Sequence, residues 1–308
     1  MPAVVLFFIA PLVAEFLLGD LPINMLGALV ILAPLYGGGA LLIREVVRRT
    51  GGGWPNIFAL GVAYAIFEEA FTTQTLFNPD YLHLHLHLLE PAYLPALGIG
   101  AWWTAFVLTQ HAVFSIAVSV ALAEALFPDR AETPWLGGPG LAISGVLFLL
   151  GAAASIGMTL KQDPFRASGA QFASAAILCA AAIAASFRLP HGRVPDAAEI
   201  GLAPSPWLTG AAALTAGSIF LVIPRQWAWG AVGMYMLLGL AAIVLVSRWS
   251  RSIGWSGLHR LALAGGAALA YAWHAFIQTP AVGKPDRIGN AVFAACLLAV
   301  LAIAARRN

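Results

Sequence analysis

The sequence predicts an all-α fold, a polytopic transmembrane helical bundle with about ten spans. Of the 308 residues, 60% are hydrophobic and only 10% are charged, whereas about a quarter of an ordinary soluble domain is charged. The mean hydropathy is +0.85, and apolar residues run along the whole chain. Backbone in lipid must satisfy its hydrogen bonds within its own segment, so these apolar stretches are expected to be helices.

Ten candidate spans result when the chain is cut at its Pro, Gly and charge clusters. Each is about 20 residues long, as a hydrocarbon core of about 30 Å requires. The first lacks the basic n-region and the small-residue cleavage site of a signal peptide, so we expect it to be retained. In chain order, the spans lie near residues 3–19, 24–46, 55–76, 99–127, 140–160, 171–188, 206–224, 227–247, 258–279 and 288–305.

Cationic residues predict the orientation of these spans. With a cytoplasmic N-terminus, eleven cations fall inside and five outside, which is the asymmetry of the positive-inside rule. We therefore expect a multi-pass protein of the cell membrane with both termini in the cytoplasm, and we expect Arg44 and Glu45 to solvate the inner end of the second helix. The inner set is Arg44, Arg48, Arg49, Arg130, Arg188, Arg193, Arg248, Arg251, Arg260, Arg306 and Arg307, and the outer set is Lys161, Arg166, Arg225, Lys284 and Arg287.

Charge and cysteine content exclude several classes of partner. Lys and Arg total 16 against 14 Asp and Glu, a formal net charge of +2, which is too sparse for the basic stripe that binds nucleic acid. Cys179 and Cys296 stand alone in apolar stretches, so neither a disulfide framework nor a CxxC metal site is predicted. The expected partners are the lipid bilayer and a peptide or small-molecule substrate.

Polar residues are unevenly distributed along this single membrane domain. Residues 1–133 form the first four spans and an outer His-rich loop, and they carry most of the ionisable groups within helices. Residues 134–308 form six spans that are mainly apolar and rich in small residues, which suits close helix packing. We expect the first part, with the helix that bears His274, to be functional and the remainder to be mainly scaffold.

Two adjacent carboxylates, Glu68 and Glu69, lie about fourteen residues into the third span, past the middle of the bilayer. An ionised carboxylate at a helix centre costs about 2.5 to 3.5 kcal/mol, so the pair must face a polar cavity, find partners or hold a proton. Tyr64 and Thr72 lie four residues either side of Glu68, and Thr73 lies four residues after Glu69. The pair is interpreted either as a functional site or as a structural contact between helices.

The fourth and ninth spans each place a histidine at a similar depth. In the fourth span, Gln110 and His111 lie beside a polar face that continues to Ser115. In the ninth span, His274 and Gln278 share a face at the i, i+4 spacing. A glutamate general base and imidazoles that bind a metal or stabilise an oxyanion could together activate water, so Glu68, Glu69, His111 and His274 are the predicted catalytic residues.

This arrangement resembles the CPBP intramembrane proteases, the family of CAAX-prenyl and bacteriocin processing. Glu68 and Glu69 match the acids of the family's EExxxR motif, with Thr73 at the position of its Arg. His111 matches the histidine of its FxxxH motif, with Val107 at the position of its Phe.

A third motif, HxxxN, is matched by His274, with Gln278 at the position of its Asn. The resemblance covers about three helices. It implies a glutamate-activated water that cleaves a peptide bond within the membrane.

The loop after the third span contains three alternating histidines, His83, His85 and His87. In an extended segment all three imidazoles would point to one side, whereas on a helix only His83 and His87 would share a face. The two interpretations are a binding site for a divalent metal such as zinc and an interfacial loop with leucines toward lipid and histidines toward water. The span order predicts that this loop is extracytoplasmic.

Three functions remain open from the sequence. The first is a membrane-embedded hydrolase of the CPBP type. The second is a proton- or cation-coupled small-molecule transporter that uses the same carboxylates, and the third is an accessory protein that handles metal through the histidine loop. In the first two cases we expect the site to be lined by Tyr64, Thr72, Thr73, Gln110, Ser115 and Gln278.

Overall fold

The computed structural model describes residues 1–189, 201–280 and 282–308, and in these it contains a helical segment at each of the ten predicted spans. The all-α prediction is confirmed. Arg193, one of the predicted inner cations, lies outside the described residues. The segments are α1 Pro2–Leu17, α2 Ile23–Arg49, α3 Trp54–Phe67 with its continuation Glu68–Thr72, α4 Ala101–Leu126, α5 Gly138–Gln162, α6 Gly169–Arg188, α7 Pro206–Val222, α8 Trp229–Trp249, α9 Gly257–His274 and α10 Arg287–Ala305.

These helices differ in how far they depend on their neighbours. By length and composition, α2, α4, α5, α6, α8 and α10 are long and apolar enough to cross a membrane, and α1 and α7 are shorter apolar helices. Helices α3 and α9 are in neither group. Helix α3 carries Glu68 and Glu69, and α9 carries two histidines and Arg260. Polar side chains therefore concentrate in helices that need protein around them.

The centre of the bundle is α4. In its most apolar stretch, 67% of the residues are buried, against 11% in α6 and in α8. Small and branched side chains such as Ile116, Val120 and Ala123 let neighbouring helices pack against it on every side. All three buried apolar clusters of the described residues include side chains of α4, so this helix joins the first part of the chain to the second.

One end of the bundle is held together by Arg44, which is 0% exposed. Its guanidinium pairs with Glu45 at 2.8 Å and with Glu124 at 3.0 Å. It also donates to three backbone carbonyls between residues 130 and 133 and lies 3.3 Å from the ring centroid of Trp135. The expectation that Arg44 and Glu45 solvate a helix end is wrong, because both are buried and join α2 to α4 and to the following loop.

At the opposite end, the connection between α3 and α4, residues 73–100, is tied to other helices. Asp163, just after α5, accepts hydrogen bonds from the Asn78 amide at 2.7 Å and from the backbone N–H of Leu82 at 2.8 Å. Arg225, after α7, donates to the carbonyl of Leu86 at 2.8 Å. Two short antiparallel strands, β1 Tyr93–Leu94 and β2 Ile99–Gly100, lead into α4. We call residues 73–100 the cap, since they close this end over the site described below.

Candidate functional site

Each of the first four helices departs locally from α-helical geometry. In the part of the chain that the structure describes, four π-helical segments occur, and they lie one each in α1, α2, α3 and α4. Such segments are uncommon and are frequent at functional sites, because the extra residue in the turn redirects side chains. Each of the four contributes to one buried polar group. They are Leu12–Leu17, Ala33–Gly37, Glu68–Thr72 and Gln110–Val118.

The centre of this polar group is His111. Its Nε2 atom lies 2.8 Å from Oε2 of Glu68 and 2.8 Å from Oε1 of Glu69. The two glutamates are 4% exposed and the histidine is 6% exposed. The adjacent carboxylates of α3 thus converge on one ring nitrogen of α4, the next helix along the chain.

The remaining polar atoms of these three side chains are held by hydroxyl groups. Oε2 of Glu69 accepts from the hydroxyl of Thr73 at 3.2 Å and from that of Thr75. Nδ1 of His111 lies 3.2 Å from the hydroxyl of Ser115. The imidazole and the Glu69 carboxylate are consequently fixed in orientation by neighbours on their own helices or just beyond them.

A tyrosine and a third glutamate extend the group to α1 and α2. The hydroxyl of Tyr36 lies 3.2 Å from Oε1 of Glu68 and donates to Oε1 of Glu15 at 2.6 Å. We call Glu15, Tyr36, Glu68, Glu69 and His111 the buried cluster. Within the described residues, no Lys or Arg pairs with its three carboxyls. Buried carboxylates need compensation, so the cluster must hold protons or a cation.

The structure also shows what the predicted lining residues do. Thr73 and Ser115 contact the cluster, as described above. The hydroxyl of Thr72, in contrast, donates to the backbone carbonyl of Glu68 at 2.5 Å, and the hydroxyl of Tyr64 is buried without a hydrogen-bond partner. Neither bonds to the Glu68 side chain as we expected. For Thr72, the π-helical turn that begins at Glu68 accounts for this, because it breaks the i, i+4 side-chain register. Tyr64 lies before that turn, in the α-helical part of α3.

His274 and Gln278 lie apart from the buried cluster. Helix α9 ends at His274, but the following turn keeps the predicted i, i+4 relation, since the backbone N–H of Gln278 donates to the carbonyl of His274 at 3.0 Å. Nδ1 of His274 is buried without a partner, and the amide of Gln278 bonds to Asp20 in the turn between α1 and α2. Gln110, at the start of its π-helical segment, is buried but bonds to no residue of the cluster. A catalytic role for His274 stays a prediction.

The histidine loop is neither a strand nor a helix. His83, His85 and His87 all have positive φ, between 49° and 56°, so the extended arrangement with three imidazoles on one side is wrong. His83 and His85 instead face the carboxylate of Asp80, at 3.6 Å and 3.1 Å. His87 pairs with Glu90 at 2.7 Å, and the three histidine side chains are 56 to 75% exposed.

Sequence reasoning missed three contributors to the site. The sequence could have indicated Glu15, because a carboxylate inside an apolar helix is a candidate functional residue by default. Nothing in the sequence indicated Tyr36 or Thr75, since a tyrosine in an apolar span and a threonine in a loop are common. Only the fold shows that they surround the glutamate pair.

Comparison with known proteins gives one result for nearly the whole chain. The sequence model of a family described as an uncharacterized membrane protein family matches residues 4–305. No curated protein and no solved structure matches the chain. The matched region reaches from α1 to α10 and includes the whole buried cluster.

Proposed function

The chain belongs to this uncharacterized membrane protein family, and we propose that it is a membrane-embedded hydrolase in which Glu68, Glu69 and His111 activate a water molecule. One observation carries the proposal: a single imidazole nitrogen lies 2.8 Å from a carboxylate oxygen of both glutamates. Carboxylates and an imidazole at this separation are the groups that general acid–base catalysis uses. The partial resemblance to CPBP proteases, which rests on these three residues together with His274, supports it.

The two glutamates have different environments, and these suggest different roles. Hydroxyl groups of Thr73 and Thr75 donate to Glu69 and fix the orientation of its carboxylate. Glu69 therefore orients His111, as the carboxylate of a catalytic triad does. Oε2 of Glu68 lies 2.8 Å from the same imidazole nitrogen but accepts from no hydroxyl group. Glu68 is left free to take a proton from water.

In the proposed reaction, Glu68 accepts a proton from water as the oxygen attacks the substrate carbonyl. His111 then donates a hydrogen bond to the developing oxyanion. When the tetrahedral intermediate collapses, the C–N bond breaks and Glu68 returns its proton to the leaving amine. The proposed substrate is a peptide bond near the membrane, as the CPBP resemblance implies, and the proposed location is the cell membrane.

The test is cleavage of fluorogenic membrane-inserted peptides by the full chain in proteoliposomes. We expect turnover by the parent and none by Glu68→Gln, because glutamine keeps the size of the side chain and cannot accept the proton. Glu132→Gln is the matched control, since this carboxylate is exposed and lies at the other end of the bundle. Equal turnover by Glu68→Gln and the parent would contradict the proposal.

A second candidate is proton-coupled transport of a small molecule. It is favoured by the continuity of the buried cluster, in which Glu15, Tyr36, Glu68, His111 and Glu69 are joined by contacts of 3.2 Å or less. Proton relays in membrane proteins consist of such chains of carboxyls and imidazoles. Substrate-dependent acidification of proteoliposomes that is lost in Glu15→Gln would favour this function, because Glu15 does not contact His111 and has no part in the proposed hydrolysis.

A further inference from the structure

We propose that Oε2 of Glu68, Oε1 of Glu69 and Nε2 of His111 bind one divalent cation of the zinc class. This inference rests on the proposed function in one respect. With the cation bound, Glu68 and His111 serve as its ligands, and the cation, in place of a free Glu68 carboxylate, would lower the pKa of the water that the hydrolase activates. The evidence for binding itself is the geometry, the surroundings and the charge of these three side chains.

The three donor atoms lie within 4.8 Å of one another. In a tetrahedral zinc site with ligand bonds of about 2.0 to 2.1 Å, the ligand atoms are about 3.3 to 3.4 Å apart. The imidazole nitrogen lies 2.8 Å from each carboxylate oxygen, so a cation requires the side chains to separate by about 0.5 Å. Three protein ligands leave the fourth position for water, which is the arrangement of catalytic zinc sites.

The surroundings of the three donors match those of metal ligands. Ligating histidines and carboxylates usually have their other polar atom held by a hydrogen bond, which fixes the ligand's orientation. Here every such atom is held by a hydroxyl, because Ser115 contacts Nδ1 of His111 and Thr73 contacts Oε2 of Glu69. Oε1 of Glu68 is held in the same way by Tyr36. The three atoms that remain are those that face one another.

One buried polar group beside these donors, the hydroxyl of Tyr64, has no hydrogen-bond partner. Tyr64 is 5% exposed, and its ring centroid lies 6.3 Å from that of His111 and 6.1 Å from that of Tyr36. Unpartnered buried polar groups are rare in folded proteins and indicate an ion, a water or a catalytic role. In addition, Oε2 of Glu68 and Oε1 of Glu69 share one nitrogen, Nε2 of His111. A cation between the three atoms would give each carboxylate its own bond.

The charge of the site also favours a cation. Two buried carboxylates face one imidazole, and within the described residues no Lys or Arg pairs with them. A divalent ion neutralises both glutamates without a basic side chain. The histidines of the cap differ in every respect, because they are exposed and each is paired with an aspartate or glutamate on its own loop.

The test uses the full chain, purified in detergent and stripped of metal, with ZnCl₂ as the probe. We expect about one zinc per chain by elemental analysis, and a 10- to 100-fold weaker affinity in Ser115→Ala, the size of effect typical for loss of a ligand's hydrogen-bond partner. His111→Ala should abolish binding, whereas His274→Ala should leave it unchanged. Because His111→Ala can fail to fold, Ser115→Ala and the titration of the parent decide the question independently.

Two results would overturn the inference. The first is a parent that takes up no zinc. The second is zinc that binds equally to the parent and Ser115→Ala but is lost when His83, His85 and His87 are all replaced by Ala, which would locate the metal in the cap.

Failure of this inference is distinguishable from failure of the proposed function. If turnover survives chelation of metal but is lost in Glu68→Gln, the proposed hydrolase is supported and the cation site is contradicted. If the chain binds one zinc ion but cleaves no peptide, the cation site is supported and the proposed hydrolase is contradicted.

Discussion

Tyr36 donates its only hydroxyl proton to Glu15, across a distance of 2.6 Å. The same hydroxyl is also directed at Oε1 of Glu68, 3.2 Å away. A hydroxyl has one proton to donate, so the shorter bond, to Glu15, is the stronger of the two. The tyrosine thus joins Glu68 of α3 to the first helix of the bundle.

Replacement Tyr36→Phe is expected to destabilise the protein by about 1 to 3 kcal/mol, because it leaves a buried carboxyl without its donor. The ring still packs between α1 and α3, so the fold is retained. The measurement is the free energy of unfolding in mixed micelles of increasing SDS content. Tyr93→Phe is the control, since this ring lies in the cap and is 47% exposed. An equal effect of both replacements would contradict the prediction.

The two glutamates of α3 are expected to differ in their effect on turnover. Glu68→Gln removes the proposed base and should abolish activity, whereas Glu69→Gln only weakens the orientation of His111. We expect the second variant to retain a measurable rate, reduced by up to about 10⁴-fold, the loss typical for replacement of the carboxylate that orients a catalytic histidine. Single-turnover assays of both variants provide the comparison. The assignment of roles is reversed if Glu69→Gln is the inactive variant and Glu68→Gln the slow one.

Arg44→Met is expected to destabilise the bundle by about 3 to 5 kcal/mol, because it removes the fully buried cation that pairs with both Glu45 and Glu124 and leaves Glu124 with Arg48 alone. Arg49→Met is the matched control. Its side chain is 34% exposed and lies 3.7 Å from Glu45, and exposed ion pairs contribute about 0 to 1 kcal/mol. SDS unfolding of the two variants gives both values. If the two variants lost the same free energy of unfolding, burial of Arg44 would make no larger contribution to stability than the exposed ion pair.

Stability of the cap is expected to fall at acidic pH through Asp163. Partial burial would raise the pKa of this carboxyl, but hydrogen bonds from the N–H groups of Phe165 and Leu82 and from Asn78 outweigh it and lower the pKa below the ordinary 3.8. Because the pKa of Asp163 is lower in the folded than in the unfolded protein, its carboxylate stabilises the fold fully above pH 3.8. This stabilisation is lost as the pH falls through the folded-state pKa. Thermal unfolding of the parent and Asp163→Asn should differ at pH 7 and converge below pH 3.8. A constant difference across this range would exclude Asp163 as the source.

Orientation in the membrane is tested by labelling single cysteines, with Cys179 and Cys296 replaced by Ala. A cysteine at Thr50, which is exposed at the end of α2, should react with a membrane-impermeant maleimide only after the cells are opened. A cysteine at His85, in the cap, should react in intact cells. The reverse pattern would place the N-terminus outside.

Helices at the ten predicted spans could be predicted from apolar runs of about 20 residues, although only six of those described are long and apolar enough to cross a membrane by themselves. Glu68, Glu69 and His111 were also predictable as a group, since consecutive helices joined by a connection at one end pack side by side. The sequence could not show the π-helical turns. In the structure, Thr72 bonds to the backbone of Glu68 and not to its side chain, and the hydroxyl of Tyr36 lies beside the Glu68 carboxyl. The alternating histidines misled for a related reason, because a period of two predicts a strand only where φ is negative.

The polar character of α3 has a consequence for how the chain enters the membrane during synthesis. Its glutamates would each oppose insertion by about 2.5 to 3.5 kcal/mol if ionised, and α3 is not among the helices apolar enough to cross alone. Glu15 and Tyr36 are synthesised before it, but His111 emerges only with α4. We therefore expect α3 to wait beside the translocon and to enter lipid together with α4 as a helical hairpin, so that a chain truncated before residue 101 would fail to integrate its third helix.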